Sequence, residues 1–204
     1  MLKKEIYPKT ARVKCNGETV CVTEKLDGSN LVIFKKNGTV YIAQRKNIIA
    51  IDELDSAKDI LYKGLSEWLN NYKEALIQEL HEGSAICGEW LGMGQIKYNI
   101  DDFDKRWCMF AKANVDDDFN LYNLNYNHDD FIYPFESQEI PKFIGIVPVV
   151  AELKVLPDKR HLDSLYEKYT TRVKRNVEGF VVSYRNQISK YVRMKNGKLQ
   201  EHHE

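Results

Sequence analysis

The chain has 204 residues, of which 43% are hydrophobic and 29% are charged, and its 30 basic and 30 acidic residues cancel to a formal net charge of zero. This composition is typical of a soluble globular protein. No apolar run is long enough to span a membrane, and the N-terminus lacks the apolar segment of a secretory signal. We therefore expect a cytoplasmic protein without membrane attachment, folded as one domain over residues 1–204.

The four cysteines lack the Cys-x-x-Cys spacing of a zinc or redox site, and we expect buried free thiols at Cys15, Cys21, Cys87 and Cys108. The charges are unevenly distributed. The segment 168–198 holds nine lysines or arginines and one acid, whereas the segment 101–139 holds ten acids and three bases. A basic end can present a phosphate-binding face, although a charge run is more often only a solvated surface.

The stretch Thr23–Asn30 lies between two alternating apolar runs, Thr19–Val22 and Leu31–Phe34. We predict two strands joined at a turn, in which Gly28 provides a permissive backbone. Lys25, at a strand end beside this turn, is placed to meet a closely approaching phosphate, and a neutral amine is a good nucleophile. Because a free lysine has a pKa of about 10.4, this role requires burial or nearby cations. An ordinary lysine in a surface hairpin is the alternative.

The next elements read as a third strand and a helix. Asn37-Gly38 predicts a hairpin that leads into Val40–Ala43 and leaves Arg45 at a strand end. Apolar residues at three- and four-residue spacing between Asp52 and Glu82 predict a core-packing helix with Ser66 as a candidate cap.

A buried strand, Ser84–Gly92, carries an acid, Glu89, among apolar residues. Burial of a carboxylate is costly unless a partner satisfies it. A backbone donor is one solution, and a sugar hydroxyl or a metal-bound water is the other. An aromatic strand follows at Arg106–Ala111. The acidic segment 112–139 has no clear period, and we expect a surface loop with at most a short helix, in which Asp116–Asp118 is solvated rather than a calcium site.

The C-terminal third predicts a strand interrupted by Pro148, a second amphipathic helix and two final strands: Ile144–Leu156, Leu162–Tyr169, Glu178–Val182 and Lys190–Lys195. In the last strand, Arg193 and Lys195 share one face. Two cations so placed repel unless an anion lies between them. A solvent-exposed edge strand is the alternative.

Six motifs occur in order along residues 20–195: Glu-Lys-x-Asp-Gly-Ser-Asn, the strand-end Arg45, Gly-Glu-x-x-Gly, an aromatic strand, Glu-Gly-Phe-Val-Val and Val-Arg-Met-Lys. This order resembles that of the covalent nucleotidyltransferases, the superfamily of polynucleotide ligases and mRNA capping enzymes. Thr23–Asn30 and Gly88–Gly92 are most similar to the RNA ligases typified by the phage double-strand RNA nick-sealing enzyme and the kinetoplastid RNA-editing ligases. The resemblance implies an α+β nucleotidyltransferase fold, with antiparallel and mixed sheets and flanking helices around a nucleotide cleft.

The resemblance also implies an ATP-dependent RNA ligase. Lys25 would attack the α-phosphate of ATP, release pyrophosphate and form lysyl-AMP. The AMP would pass to a 5′-phosphate RNA end, which a 3′-hydroxyl end then attacks. In this scheme Glu178 orients Lys25, while Arg193 and Lys195 hold the α-phosphate and its leaving group, as phosphoryl transfer requires.

The implied nucleotide-binding residues are Glu24, Lys25, Asn30, Arg45, Glu89, Trp107, Phe110, Glu178, Arg193 and Lys195. Arg45 would contact the phosphates or the ribose, and Glu89 the ribose hydroxyls. Trp107 would lie on the adenine face with Phe110 in the core, and the reverse assignment stays open. The implied ligands of Mg²⁺ or Mn²⁺, acting through water, are Asp27, Glu89 and Glu178.

Two features depart from the family pattern. Arg193 stands where relatives commonly have lysine, which keeps the charge but replaces a point donor by a planar fork. The sequence ends shortly after the last motif, so we expect no appended C-terminal domain, and an accessory RNA-binding subunit is compatible with this. The alternatives are a minimal DNA ligase, a GTP-dependent capping guanylyltransferase and a non-catalytic nucleic-acid-binding module.

Overall fold

The computed structural model describes residues 1–4, 7, 19–98, 105–195 and 198–199. Their contacts group into two compact units. Unit 1 comprises residues 1–4, 7, 28–93, 98 and 105–146, and unit 2 comprises residues 19–27, 94–97, 147–195 and 198–199. The single domain expected over residues 1–204 stays a prediction.

Strands and helices both contribute to the described chain, which confirms the α+β class. In chain order the strands are β1 (Leu2–Lys3), β2 (Val20–Lys25), β3 (Gly28–Lys36), β4 (Thr39–Gln44), β5 (Asn47–Ala50), β6 (Ser84–Leu91), β7 (Trp107–Val115), β8 (Leu121–Asn125), β9 (Gly145–Ile146), β10 (Val149–Leu153), β11 (Gly179–Tyr184), β12 (Gln187–Val192), β13 (Met194–Lys195) and β14 (Lys198–Leu199). The helices are α1 (Leu65–Glu79), α2 (Lys159–Val173) and the 3-10 helices Ile51–Ile60 and His128–Asp130.

Unit 1 is built on an eight-stranded sheet of order β1-β5-β4-β3-β6-β7-β8, with β9 paired in parallel to β7. The remaining pairs of this sheet are antiparallel. One face packs against α1 and the first 3-10 helix through a cluster that includes Leu31, Trp68 and Trp107. The other face carries a second cluster that includes Val32, Phe34 and Cys87.

The predicted hairpin at Asn37-Gly38 is confirmed. Lys36 pairs with Thr39, and both turn residues have positive φ, 51° at Asn37 and 73° at Gly38. That geometry is the type I′ turn that Asn-Gly favours, since glycine and asparagine tolerate positive φ.

The two strands predicted on either side of Lys25 are present, but they do not pair with each other as a hairpin. β2 pairs with β10 and β11, whereas β3 pairs with β4 and β6 in a different sheet. Both edges of β2 are occupied, so the short link at Leu26-Asp27 carries the chain from one sheet to the other. An alternating pattern predicts strands but not their partners.

Unit 2 contains a four-stranded antiparallel sheet of order β10-β2-β11-β12 and the short pair β13-β14. Helix α2 packs on the sheet through a cluster that includes Val22, Tyr166 and Phe180. Its first turn is capped by the side chain of Asp158, which accepts a hydrogen bond from the His161 N–H.

Two local predictions need correction. Helix α1 begins at Leu65, and its N-cap is Gly64 with a left-handed backbone, so Ser66 is not the cap. The segment 112–139 is not simply a loop, because β7 continues through Val115 and β8 pairs with it. The short helix expected there is confirmed at His128–Asp130.

Cys21, Cys87 and Cys108 are thiols rather than members of a disulfide, and the latter two are buried. Cys15 lies outside the described residues. None of the helices in the described part of the chain is long and apolar enough to cross a membrane.

Candidate active site

Lys25 and Glu178 form an ion pair in unit 2. Lys25 is the last residue of β2 and pairs with Gly179, the first residue of β11, so Glu178 lies directly beside it. Lys25 Nζ is 2.5 Å from Glu178 Oε1, and the two side chains are 20% and 18% exposed. The sheet register therefore brings together the two residues to which the family resemblance gave the nucleophile and its orienting acid.

The backbone around Glu178 is closely held. Its carbonyl oxygen accepts hydrogen bonds from the N–H groups of Arg193 and Met194, at 2.8 and 2.9 Å. At Gly179 a Cβ atom would lie 1.9 Å from the carbonyl oxygen of Tyr191, so only glycine fits. This close approach seats the residue after Glu178 directly against β12.

The carboxylate of Glu178 is incompletely satisfied. Its Oε2 atom is buried and has no hydrogen-bond partner among the described residues. Burial raises the pKa of the Glu178 carboxyl above its ordinary value, and the hydrogen bond and positive charge of Lys25 oppose that rise. An unpaired buried carboxylate oxygen beside an amine is the kind of acceptor that a ligand or hydrated cation can fill.

Glu24 faces the opposite side of β2 from Lys25. Its side chain is fully buried, and both oxygens bind the guanidinium of Arg175, at 2.5 and 2.6 Å. The Tyr169 hydroxyl donates a further hydrogen bond at 2.6 Å. These partners leave the Glu24 carboxylate unavailable to a nucleotide, which corrects its predicted role. Since neighbouring strand residues point to opposite faces, Lys25 and Glu24 cannot line the same surface.

Asp27 holds the segment 94–97 rather than standing open to solvent. Its Oδ2 atom accepts hydrogen bonds from the N–H groups of Gln95 and Ile96, at 2.5 and 2.7 Å. A Cβ atom at Gly94 would lie 2.2 Å from the Asp27 carbonyl oxygen, so this contact requires glycine. The Asp27 carboxylate was expected to meet metal-bound water, but its Oδ2 atom already accepts two backbone hydrogen bonds.

Arg193 binds carboxylates of α2. Its guanidinium lies 3.2 Å from Asp163 and 3.7 Å from Glu167, and it sits 5.4 Å from the Tyr166 ring centre. Hydrogen bonding by Tyr191, then the charges of Lys159 and Arg193, hold the pKa of Asp163 below its ordinary value.

The final strand is not continuous as predicted. It breaks at Arg193, because the N–H groups of Arg193 and Met194 both turn to Glu178. Lys195 lies in β13. The phosphate roles of Arg193 and Lys195 stay predictions.

Three predicted residues of unit 1 lie at neighbouring positions. Asn30 and Glu89 are direct partners on β3 and β6, which puts their side chains on the same face of the sheet. Arg45 is exposed at the end of β4, in a turn where its φ is 28°. The strand-end position predicted for Arg45 is confirmed.

Tyr62 joins this group, and the sequence reading missed it. Its hydroxyl donates to the Asn30 carbonyl oxygen at 3.1 Å, and its backbone N–H donates to Gln44 at 2.8 Å. Burial raises the pKa of Tyr62, the positive charge of Arg45 lowers it, and the negative charge of Glu89 raises it further. Tyr62 follows a 3-10 helix, where no periodic pattern marks it.

Trp107 and Phe110 occupy different environments. Trp107 is fully buried in the cluster against α1, and its indole N–H donates to the Leu31 carbonyl oxygen at 3.2 Å. Its ring is therefore a core element, which corrects the preferred adenine-stacking assignment. Phe110 is half-buried on the other face, edge-on to Tyr7 with ring centres 5.5 Å apart. A register shift opposite Cys87 re-aims the side chains of β7 near Phe110.

Within the described ranges, no group of three or more histidine, cysteine, aspartate or glutamate side chains is arranged to hold a metal ion directly. The predicted metal residues Asp27, Glu89 and Glu178 accordingly do not form a direct ligand cage. Coordination through water, as the resemblance implies, stays a prediction.

The family described as RNA ligase matches residues 18–195 of the chain. No curated protein matches the chain. Its fold is similar to that of a putative ATP-dependent DNA ligase from Aquifex aeolicus, with a TM-score of 0.52 and 17% identity over 92% of this chain and 49% of that one. It is similar also to an archaeal ATP-dependent RNA ligase, with a TM-score of 0.51 and 15% identity over 92% of this chain and 48% of that one.

The chain thus spans about half the length of these two structures. At such identities the two likenesses support the fold alone, and they confirm the nucleotidyltransferase fold of ligases. The family match covers most of the chain and includes every predicted site residue. The chain therefore belongs to the RNA ligase family.

Proposed function

We propose that this chain is an ATP-dependent RNA ligase that forms lysyl-AMP on Lys25, transfers the AMP to a 5′-phosphate RNA end and joins that end to a 3′-hydroxyl. The observation that carries the proposal is the 2.5 Å contact between Lys25 Nζ and Glu178 Oε1 at the paired ends of β2 and β11. Membership of the RNA ligase family supports the same reaction.

In the first step Lys25 Nζ attacks the α-phosphorus of ATP. A P–N bond forms, the bond from the α-phosphorus to the bridging oxygen breaks, and pyrophosphate leaves. The Lys25 ammonium must lose one proton to become a nucleophilic amine, and a second proton leaves the nitrogen as the P–N bond forms. Both protons pass to water, and Glu178 lies within hydrogen-bonding reach to orient the amine. In the later steps a 5′-phosphate oxygen displaces Lys25, and a 3′-hydroxyl then displaces AMP.

Glu178 also fits a hydrated divalent cation, because its Oε2 atom is buried and none of the residues that the structure describes forms a hydrogen bond with it. We assign Mg²⁺ or Mn²⁺ to this carboxylate through water, and such a cation would supply positive charge to the phosphates. Asp27 contributes less than expected, since its Oδ2 atom already accepts two backbone hydrogen bonds.

The nucleotide-binding residues of unit 1 are proposed to be Asn30, Arg45, Glu89 and Phe110, with Tyr62 as an addition. Glu89 would accept from the ribose hydroxyls, and Arg45 would contact phosphate or ribose. Phe110 replaces Trp107 as the aromatic residue for the adenine, because Phe110 is half-buried whereas Trp107 is enclosed in the core.

The test is transfer of label from α-labelled ATP to the protein. The wild-type chain should acquire an acid-labile, alkali-stable label that peptide mapping places on Lys25. Lys25→Arg and Lys25→Ala should reduce labelling to background, because arginine keeps the charge but is not a usable nucleophile. Undiminished labelling of either variant would refute the assignment.

The same assay separates the alternatives. Labelling by GTP in place of ATP would identify a capping guanylyltransferase. Sealing of DNA ends without RNA ends, with a nick, a hairpin break and two single strands offered in each sugar form, would identify a DNA ligase. An unlabelled but nucleic-acid-binding wild-type chain would be a non-catalytic module. Addition of a candidate accessory subunit would then show whether strand joining depends on it.

A further inference from the structure

The proposed reaction leaves one buried ion pair of unit 2 without a task. We infer that Glu24 and Arg175 form a brace that positions Lys25 against Glu178, and this inference rests on the proposed function. The brace joins the residue directly before Lys25 to a residue three positions before Glu178. Both members are positioning residues, because neither is placed to touch a nucleotide.

The contact has the geometry of a rigid link. Arg175 Nη1 lies 2.5 Å from Glu24 Oε1, and Arg175 Nη2 lies 2.6 Å from Glu24 Oε2. The side chains are 12% and 0% exposed. Two parallel charge-assisted hydrogen bonds between planar groups fix orientation as well as distance, which a single contact does not.

The segment between Arg175 and Glu178 is short and held along its length. It directly follows Lys174, the left-handed C-cap of α2 with a φ of 54°. The Val177 carbonyl oxygen accepts a hydrogen bond from the Tyr166 hydroxyl at 2.7 Å. A displacement of Arg175 therefore carries over to Glu178, since the intervening backbone has little freedom to absorb it.

Stability alone is a poor explanation for this pair. Burying two charges is costly, and a buried ion pair replaced by apolar residues of similar volume often leaves a protein equally or more stable. What the pair uniquely supplies is a fixed spacing between β2 and the segment after α2. Those are the two elements that bring Lys25 and Glu178 to 2.5 Å.

Arg175→Lys is the sharpest variant, because it keeps the charge that neutralises Glu24 and removes the second hydrogen bond. We expect the rate constant of adenylylation at saturating ATP to fall about 10- to 100-fold, the cost of an ångström-scale misplacement, with the KM for ATP unchanged. Tyr169→Phe is the matched control. It removes the third hydrogen bond to Glu24 but keeps the Tyr169 ring, which packs edge-on against Phe180, and both hydrogen bonds from Arg175, so its rate should stay near wild type.

A measurement that does not use ATP tests the brace independently of the proposed function. The acetylation rate of Lys25 is compared with that of the exposed Lys154 in each folded variant, by peptide mass spectrometry. Glu178→Gln sets the ratio for a Lys25 that has lost its partner. Arg175→Lys should shift the ratio several-fold toward that reference, whereas Tyr169→Phe should not.

A wild-type ratio in Arg175→Lys would overturn the brace, and so would shifts that simply follow the melting temperature across both variants. If the ratio shifts as expected while the wild-type chain takes no label from ATP, the brace stands and the proposed function fails. If labelling occurs on Lys25 but the ratio does not shift, the proposed function stands and the brace fails.

Discussion

Two ion pairs lie side by side on β2, and they are built differently. Glu24 is fully buried, and its carboxylate receives three hydrogen bonds, two from Arg175 and one from Tyr169. Glu178 is 18% exposed, with one oxygen bound to Lys25 and the other buried and without a hydrogen-bond partner in the described part of the chain. Adjacent residues of one strand thus enter a saturated pair on one face and an unsaturated pair on the other.

The difference separates a structural contact from a reactive one. A polar network whose donors and acceptors are all satisfied is rigid and has no capacity left for a ligand. A carboxylate with an unmet acceptor beside an amine keeps that capacity, at a cost in folding free energy. Sequence position distinguishes the two poorly, because Glu24 and Lys25 belong to the same motif. The three predictions below test whether the two pairs carry separate tasks.

The largest effect is expected at the unsaturated pair. Glu178→Gln removes the charge that orients Lys25, and the rate constant of adenylylation should fall about 10²- to 10⁴-fold, the range for a positioned acid or base. The melting temperature should change little, because the lost partner is one lysine that is 20% exposed. Single-turnover labelling with ATP measures the first quantity, and thermal unfolding followed by circular dichroism measures the second. A large loss of stability with an unchanged rate would show that the Lys25–Glu178 pair is structural rather than reactive.

The saturated pair should lose more stability than the unsaturated pair. Glu24→Gln leaves the guanidinium of Arg175 buried without its charge partner, and breaking a buried pair in this manner costs about 3 kcal/mol of unfolding free energy. Urea unfolding monitored by tryptophan fluorescence reports this loss. As the exposed counterpart, Lys36→Gln breaks the pair with Asp117, whose side chain is 93% exposed, and should cost clearly less because solvent screens that pair. Equal losses in the two variants would contradict the assigned roles.

The smallest effect concerns the pH dependence of stability. Burial raises the pKa of Glu178 above its ordinary value of 4.5, against the opposing influence of Lys25. The folded chain therefore binds this proton more tightly than the unfolded chain, so the stabilisation is complete below about pH 4.5 and is lost as the pH rises through the raised pKa. The side chain of Glu178→Gln is neutral at every pH. As the pH rises through the raised pKa of Glu178, the unfolding free energy of the variant should therefore increase relative to that of the wild type. Urea titrations from about pH 4 to pH 7 would measure the difference, and an opposite slope would mean that the attraction to Lys25 outweighs burial.

The sequence was sufficient wherever local rules decide the outcome. The turn at Asn37-Gly38 follows from backbone preference alone, and the apolar stripe of α1 follows from helical period. The order of the six motifs predicts the family and singles out Lys25 and Glu178 as site residues. Strand alternation within the first motif also predicts that Glu24 and Lys25 point to opposite faces of the sheet.

Other features depend on partners that are distant in the chain. Whether β2 pairs with β3 or with β11 depends on which sheet edges are free. Alternation puts Trp107 and Phe110 on opposite faces of β7, but only the packing of α1 decides which of the two faces is enclosed. The partners of Arg193 and Asp27 come from α2 and from the segment 94–97, and no spacing in the sequence announces them.

Motif order and local period by themselves therefore determined the family, the class of fold and the candidate nucleophile, because these are written in contiguous residues. The tertiary structure alone decided that Arg175 occupies the Glu24 carboxylate, that α2 supplies the partners of Arg193, and that Trp107 is the aromatic ring enclosed in the core. The physical reason is that a charged or aromatic side chain acquires its task from burial and from its partners. Both are properties of the packed sheets rather than of any single segment.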